Sequence, residues 1–163
     1  MAGTTAGKGR WPIGEPEVQN LIDEGELQQV APSEAHAEFL LGQAAAHLAS
    51  AAKVIDDDPS GALAMLYDAA RKAMTAPLAR QGLRPTNKNG HRAVQEGVEA
   101  QLGPNARKVV RTFRALRLRR HDSEYPGVET PTITTEEVTL ALADSEDIVA
   151  AMKKFVPNVG PWH

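Results

Sequence analysis

Arginine, histidine and tyrosine crowd one short stretch of this chain, Arg107 to Tyr125, which reads RKVVRTFRALRLRRHDSEY. A guanidinium binds phosphate in a planar, two-pronged way, and an imidazole exchanges protons near neutral pH, so such a stretch can hold an anion or move a proton. Seven of the chain's eighteen basic residues lie between Arg107 and Arg120, six of them arginine, with no acidic residue among them. The remaining eleven basic residues face twenty-one acidic ones. A chain of net charge −3 thus concentrates its positive charge on one element, which makes that element an anion site or a dock for an acidic surface.

On a helical wheel of about 100° per residue, Val109, Phe113 and Leu116 share one face, which must be the core side. Arg120 continues that line, so the spacing predicts a largely buried guanidinium that needs a partner; Asp68 is the candidate. Arg107, Arg111, Arg114 and Arg117 form a second stripe at spacings of four, three and three, and His121 extends it by four. That stripe reads either as a solvated face or as a surface for phosphate or RNA backbone, with Arg111 and Arg114 exposed. Arginine is itself a strong helix former, and the overall pI near 6.0 restricts any nucleic-acid contact to a local patch. Candidate catalytic groups are Arg120, His121, Tyr125 and Arg114. Two registers stand open: Arg120 with Tyr125 across four residues, and Arg114 with His121 across six, which a helix places on one face.

Other chemistry-bearing residues read more plainly. Tyr67 and Asp68 fall within an apolar helix, where packing and a hydrogen bond are expected. His91 and Arg92 open a helix, as cap or surface residues or as a second anion site. Asp56, Asp57 and Asp58 end one helix and are read as solvated rather than metal-binding. His36 and His47 lie about three turns apart, roughly 16 Å, too far for one ion to bridge. Without cysteine there is neither a disulfide framework nor a thiolate site. No metal and no cofactor are expected.

The elements that must position these residues are helical. Aromatics make up only 4% and alanine is abundant, which favours packed helices over sheets. A short helix is expected over Pro16–Val30. A long one starts after Ser33 and carries the stripe Leu40, Ala44, Leu48, Ala51 and Ile55. Asp58-Pro59 caps the next, whose inward residues are Ala62, Leu66, Ala69, Ala70, Ala73 and Leu78, with Pro77 expected to kink it or end it early. Leu83–Gly90 reads as a loop, His91–Leu102 as a helix, and Gly103-Pro104-Asn105 as the break before the basic helix, which stops ahead of Pro126. After a loop, Thr134 and Glu137 form a capping-box pattern opening a last helix with Val138, Leu142, Val149, Met152 and Val156. No strand pattern is evident.

The length of 163 residues suggests one domain over 16–156, between a disordered segment 1–15 and a flexible tail 157–163. No apolar run approaches the ~20 residues of a membrane span, and MAGTTAGKGR lacks a secretory core, so cytoplasmic residence is the default.

The order of Ala69-Ala70-Arg71-Lys72-Ala73, Gly82-Leu83-Arg84, His91-Arg92-Ala93 and an arginine helix ending in Arg120-x-x-x-x-Tyr125 resembles the HEPN superfamily, most of all its small actinobacterial-type members. The likeness spans about Ser33 to Phe155. It implies an all-α, up-and-down bundle of four or five helices, usually a homodimer. It also implies an Arg-x4–6-His motif facing its twin across the dimer cleft in ribonuclease members. Membership in toxin–antitoxin or defence systems, often beside a small nucleotidyltransferase, is implied as well. Here Tyr125 stands where the histidine is usual, and a phenol with pKa about 10 exchanges protons poorly. Three readings follow: a non-catalytic or weakly catalytic protein binding RNA, a nucleotide or a partner protein; a metal-independent endoribonuclease; and a structural helical adaptor.

Overall fold

The computed structural model describes residues 9–162, and its frame is all-α. The two long N-terminal helices begin at side-chain caps. The Ser33 hydroxyl accepts from the His36 N–H at 3.0 Å and starts α2 (Glu34–Val54). Asp58 accepts from the Gly61 N–H at 2.9 Å and, with Pro59 at the first helical position, starts α3 (Pro59–Gln81). α3 is the central helix, packed against α2, α7 (Thr135–Phe155), α6 (Thr112–Glu124) and α4 (Gly90–Glu99). Its predicted inward residues are all buried. Ala37, Ala44 and Ala51 of α2 are buried as well, so alanine sets a close α2–α3 contact. Ser145, which interrupts the apolar stripe of α7, donates its buried hydroxyl to the Leu66 carbonyl at 2.8 Å. Thr134 accepts from the Glu137 N–H at 3.1 Å, which is half of the expected capping box; the Glu137 carboxylate turns to Arg119 instead.

Several expectations are corrected. The first helix, α1 (Glu15–Asp23), stops well short of Val30. The chain then forms β1 (Leu27–Gln29), antiparallel to β2 (Leu83–Pro85), with Gln28 opposite Arg84. Three residues per strand are too few to show alternation, and the pairing is non-local. Gly82, at φ 80°, ends α3 and admits this strand pairing; a Cβ there would meet the Val30 carbonyl oxygen at 2.6 Å. α3 also runs through Pro77 to Gln81. Burial of Ala76, Leu78 and Ala79 around it outweighs a proline penalty of about 3 kcal/mol.

The basic helix is two helices, α5 (Pro104–Val110) and α6, joined at Arg111. Thr112 donates its hydroxyl to the Val109 carbonyl at 2.8 Å, and the Arg114 N–H bonds the Arg111 carbonyl three residues back. A side chain competing for backbone groups tightens the turn and shifts the phase. Val110, not Val109, is therefore the fully buried residue, in line with Phe113 and Leu116.

The ends pack where the sequence reads as loose. Residues 1–8 of the expected disordered segment lie outside the described residues, but the Trp11 indole donates to the Gln101 carbonyl at 2.9 Å and meets Phe155 edge-on. At the other end Trp162 is fully buried. Its backbone N–H donates to the Gln81 carbonyl at 2.8 Å, and the Arg10 guanidinium lies 4.6 Å from its ring centre.

Candidate anion-binding site

The break at Arg111 divides the arginine stripe. Arg107 turns its guanidinium onto the carbonyls of Glu99 and Leu102, at 3.3 and 3.2 Å. Carbonyls at a helix C-terminus carry partial negative charge and hold cations there. Arg111 pairs with the Glu99 carboxylate at 3.0 Å. Both face a cavity of about 530 Å³ that also contains Glu17, Glu24 and Glu96, so their charge is met from within the chain. Arg114 is exposed and makes no ion pair among the described residues.

Beyond the break the chemistry changes. Arg117, Arg120 and His121 of α6 converge with Tyr67 of α3 and His91 of α4 on a cavity of about 220 Å³ that no carboxylate lines. Arg120 is not the largely buried residue its wheel position predicts: its side chain is 36% exposed and pairs with Glu124 on its own helix at 2.7 Å. Its guanidinium lies 5.2 Å from the Tyr67 ring centre, and its Nε is buried without a hydrogen-bond partner. Asp68 is not its partner. Lys72 and Arg71 donate to Asp68 at 2.6 and 2.7 Å, and His47 lies 3.2 Å away. Burial pushes the Asp68 carboxyl up, but those hydrogen bonds win and hold it below the usual range.

Tyr67 and His91 form the centre of this cavity. The Tyr67 hydroxyl and His91 Nδ1 are 2.8 Å apart, and the Tyr67 ring stacks on buried Phe113 at 5.5 Å. Burial raises the Tyr67 pKa above its ordinary value, against the pull of Arg71, Arg120 and Arg117. Loss of water lowers that of His91, and the same three arginines lower it further. His91 is exposed as a residue, while its Nδ1 is turned to the Tyr67 hydroxyl. The result is a neutral imidazole held among guanidiniums. It can accept or donate a hydrogen bond beside a bound anion.

Tyr125 is 71% exposed and lies outside the cavity, its ring 5.1 Å from that of His121. Arg114 does not line the cavity with His121. Among the described residues no three imidazole or carboxylate groups are placed to hold a metal, and no helix is long and apolar enough to cross a membrane. The structure adds Tyr67 to the site and brings His91 to its centre. Sequence spacing flags neither convergence, because the two residues lie on different helices; only the position of His91 at a helix start hinted at an anion.

The HEPN-domain family model matches residues 37–155, most of the chain and every residue of this cavity. The chain belongs to the HEPN family. No curated protein and no solved structure matches it. Within the HEPN domain, α3, α4 and α6 thus present an arginine cavity free of facing carboxylates, whereas the cavity whose arginines face glutamates is lined from α1, α4, α5 and Arg111.

Proposed function

We propose that this HEPN-domain protein binds RNA or a nucleotide through the Arg117–Arg120 end of its basic segment and cleaves RNA little or not at all. One observation carries the reading: Arg117 and Arg120 share a cavity with two histidines and no carboxylate, in a chain of net negative charge. Weak cleavage is supported by Tyr125, which takes the usual histidine position and lies exposed outside that cavity. The protein acts as a cytoplasmic homodimer. The outward face of α2 supports this, leaving Ala35, Phe39, Gly42, Ala46 and Ala49 exposed at spacings of four and three. A nucleotidyltransferase-type partner, in a toxin–antitoxin or defence-type system, rests on family membership alone.

A second reading, metal-independent endoribonuclease, is favoured by Arg120 and His121 lining the same cavity. In it the ribose 2′-oxygen bonds the adjacent phosphorus and gives its proton to His121. The 5′-oxygen leaves with the proton returned by the His121 imidazolium, while Arg120 balances the phosphorane charge.

Salt titration of labelled single-stranded RNA tests the binding reading. Each phosphate contact contributes a log–log slope of about −0.7, so combined Arg114→Ala, Arg117→Ala and Arg120→Ala should flatten the slope by about two, with the helical spectrum unchanged. Absence of binding at low salt would leave the adaptor reading. Incubating total RNA in EDTA with wild type and His121→Ala decides on cleavage, since robust cut product lost in the variant would establish the nuclease.

A further inference from the structure

His91 stands on a wall shared by two cavities. On one side is the arginine cavity of about 220 Å³; on the other is a chamber of about 360 Å³ lined by Arg71, Thr75, Thr86, Asn87 and Gly90. Resting on the phosphate-binding reading above, we propose that the two chambers form one site for the phosphomonoester end of a nucleotide. The phosphate sits at His91 among Arg71, Arg117 and Arg120, and the nucleoside fills the larger chamber against Thr86 and Asn87.

Charge is the first argument. The two chambers together hold three arginines and no carboxylate in their walls. Arg71 and Arg120 are each steadied by an acid on their own helix, and Arg117 makes no ion pair among the described residues. A phosphomonoester carries about −1.5 to −2 at neutral pH, an internal phosphodiester about −1, so a three-arginine site with no carboxylate in its walls and Arg117 unpaired favours the chain end or the free nucleotide.

The second argument is the wall itself. The bond from Tyr67 fixes His91 through Nδ1 and leaves the other ring nitrogen for a ligand. α4 begins beside it without a side-chain cap on its first-turn N–H groups: Asn89 sits in the left-handed region at φ 53°, and its amide N–H donates to Glu26 at 3.3 Å. Those amides add anion-binding donors to a site the arginines already define.

The third argument is the larger chamber. Thr86 is anchored by its hydroxyl to the Gly25 carbonyl at 2.7 Å, which steadies the loop. The exposed Asn87 side chain makes no hydrogen bond among the described residues, so its amide offers donors and an acceptor to a base edge.

The test compares a 5′-phosphorylated RNA decamer with the same decamer bearing a 5′-hydroxyl, and adenosine 5′-monophosphate with adenosine, by calorimetry on the full chain. Each phosphorylated member should bind at least tenfold tighter than its hydroxyl counterpart. His91→Ala and Arg117→Ala should each remove most of that preference. Tyr67→Phe, which keeps the stack on Phe113 but frees His91, should reduce it in part. The two pairs separate the sources: preference confined to the mononucleotide assigns the site to free nucleotide, and confined to the decamer, to RNA ends. Equal binding of phosphorylated and hydroxyl forms, with the salt dependence intact, would overturn this inference and leave the anion-binding reading standing. No binding of any ligand by wild type at low salt would overturn both.

Discussion

A histidine among arginines has a defined effect on stability as well as on binding. His91 faces Tyr67 and Arg71 from α3, and Arg117, Arg120 and His121 from α6. Its folded pKa lies below the ordinary value of 6.5, so the unfolded chain takes up the proton first as pH falls. The contribution is therefore fully present above pH 6.5 and is lost as pH drops through the folded value. An NMR titration should place the His91 midpoint below 6.5, and His91→Gln should blunt the loss of stability in that window. A midpoint at or above 6.5 would remove the basis for a neutral imidazole in the site. Arg120 invites a second measurement. A buried guanidinium with a buried partner would cost about 3–5 kcal/mol to truncate. Its actual partner, Glu124, is exposed and on the same helix, so Arg120→Ala should cost only about 0–1 kcal/mol in urea melts while weakening RNA binding. A loss above about 2 kcal/mol would show that the Tyr67 contact and the buried Nε matter more than the ion pair.

At the scale of elements, one hydroxyl redirects the whole basic segment. The wheel treats Arg107 to Tyr125 as a continuous helix and so aligns Arg107 and Arg111 with Arg114 and Arg117. The break at Arg111 hands the first two to α4 and its glutamates. The C-terminal segment shows the opposite error: short, proline-containing and glycine-containing, it reads as a loose tail, yet it closes the end of α3. Trp162 is fully buried, so Trp162→Ala should destabilise by about 3–5 kcal/mol. Chemical denaturation checks this, and a change below 1 kcal/mol would show that the segment is not part of the packed domain.

At the scale of the molecule, the alanine content has two fates. On α3 it is used up in packing against α2 and the core. On α2 the buried alanines alternate with an outward row centred on Phe39, Gly42 and Ala46. A symmetric dimer through that row should bury on the order of 1,200 Å² or more. Sedimentation should show a species of twice the 17.5 kDa chain mass, and Ala46→Glu should return it to monomer without loss of helicity. A monomeric wild type at micromolar concentration, or a dimer indifferent to Ala46→Glu, would place the contact elsewhere or abolish it.

What the sequence by itself determined was local. Ser33, Asp58 and Thr134 announce helix starts because a side-chain oxygen can reach a backbone N–H three residues on. The buried face of α3 and most of that of α2 follow from helical period, and the excess of arginine is plain from composition; on α7 the expected Leu142 is half-buried and Ala141, Ser145 and Ile148 join the buried line. What tertiary structure alone decided was convergence. Tyr67 and His91 lie twenty-four residues apart, and Arg120 lies farther still, so no period or spacing relates them. Their meeting depends on how α4 and α6 pack on α3. The sorting of arginines into paired and unpaired depends on which helix end each one reaches, because a cation's charge is cancelled by neighbours in space and not by neighbours in sequence.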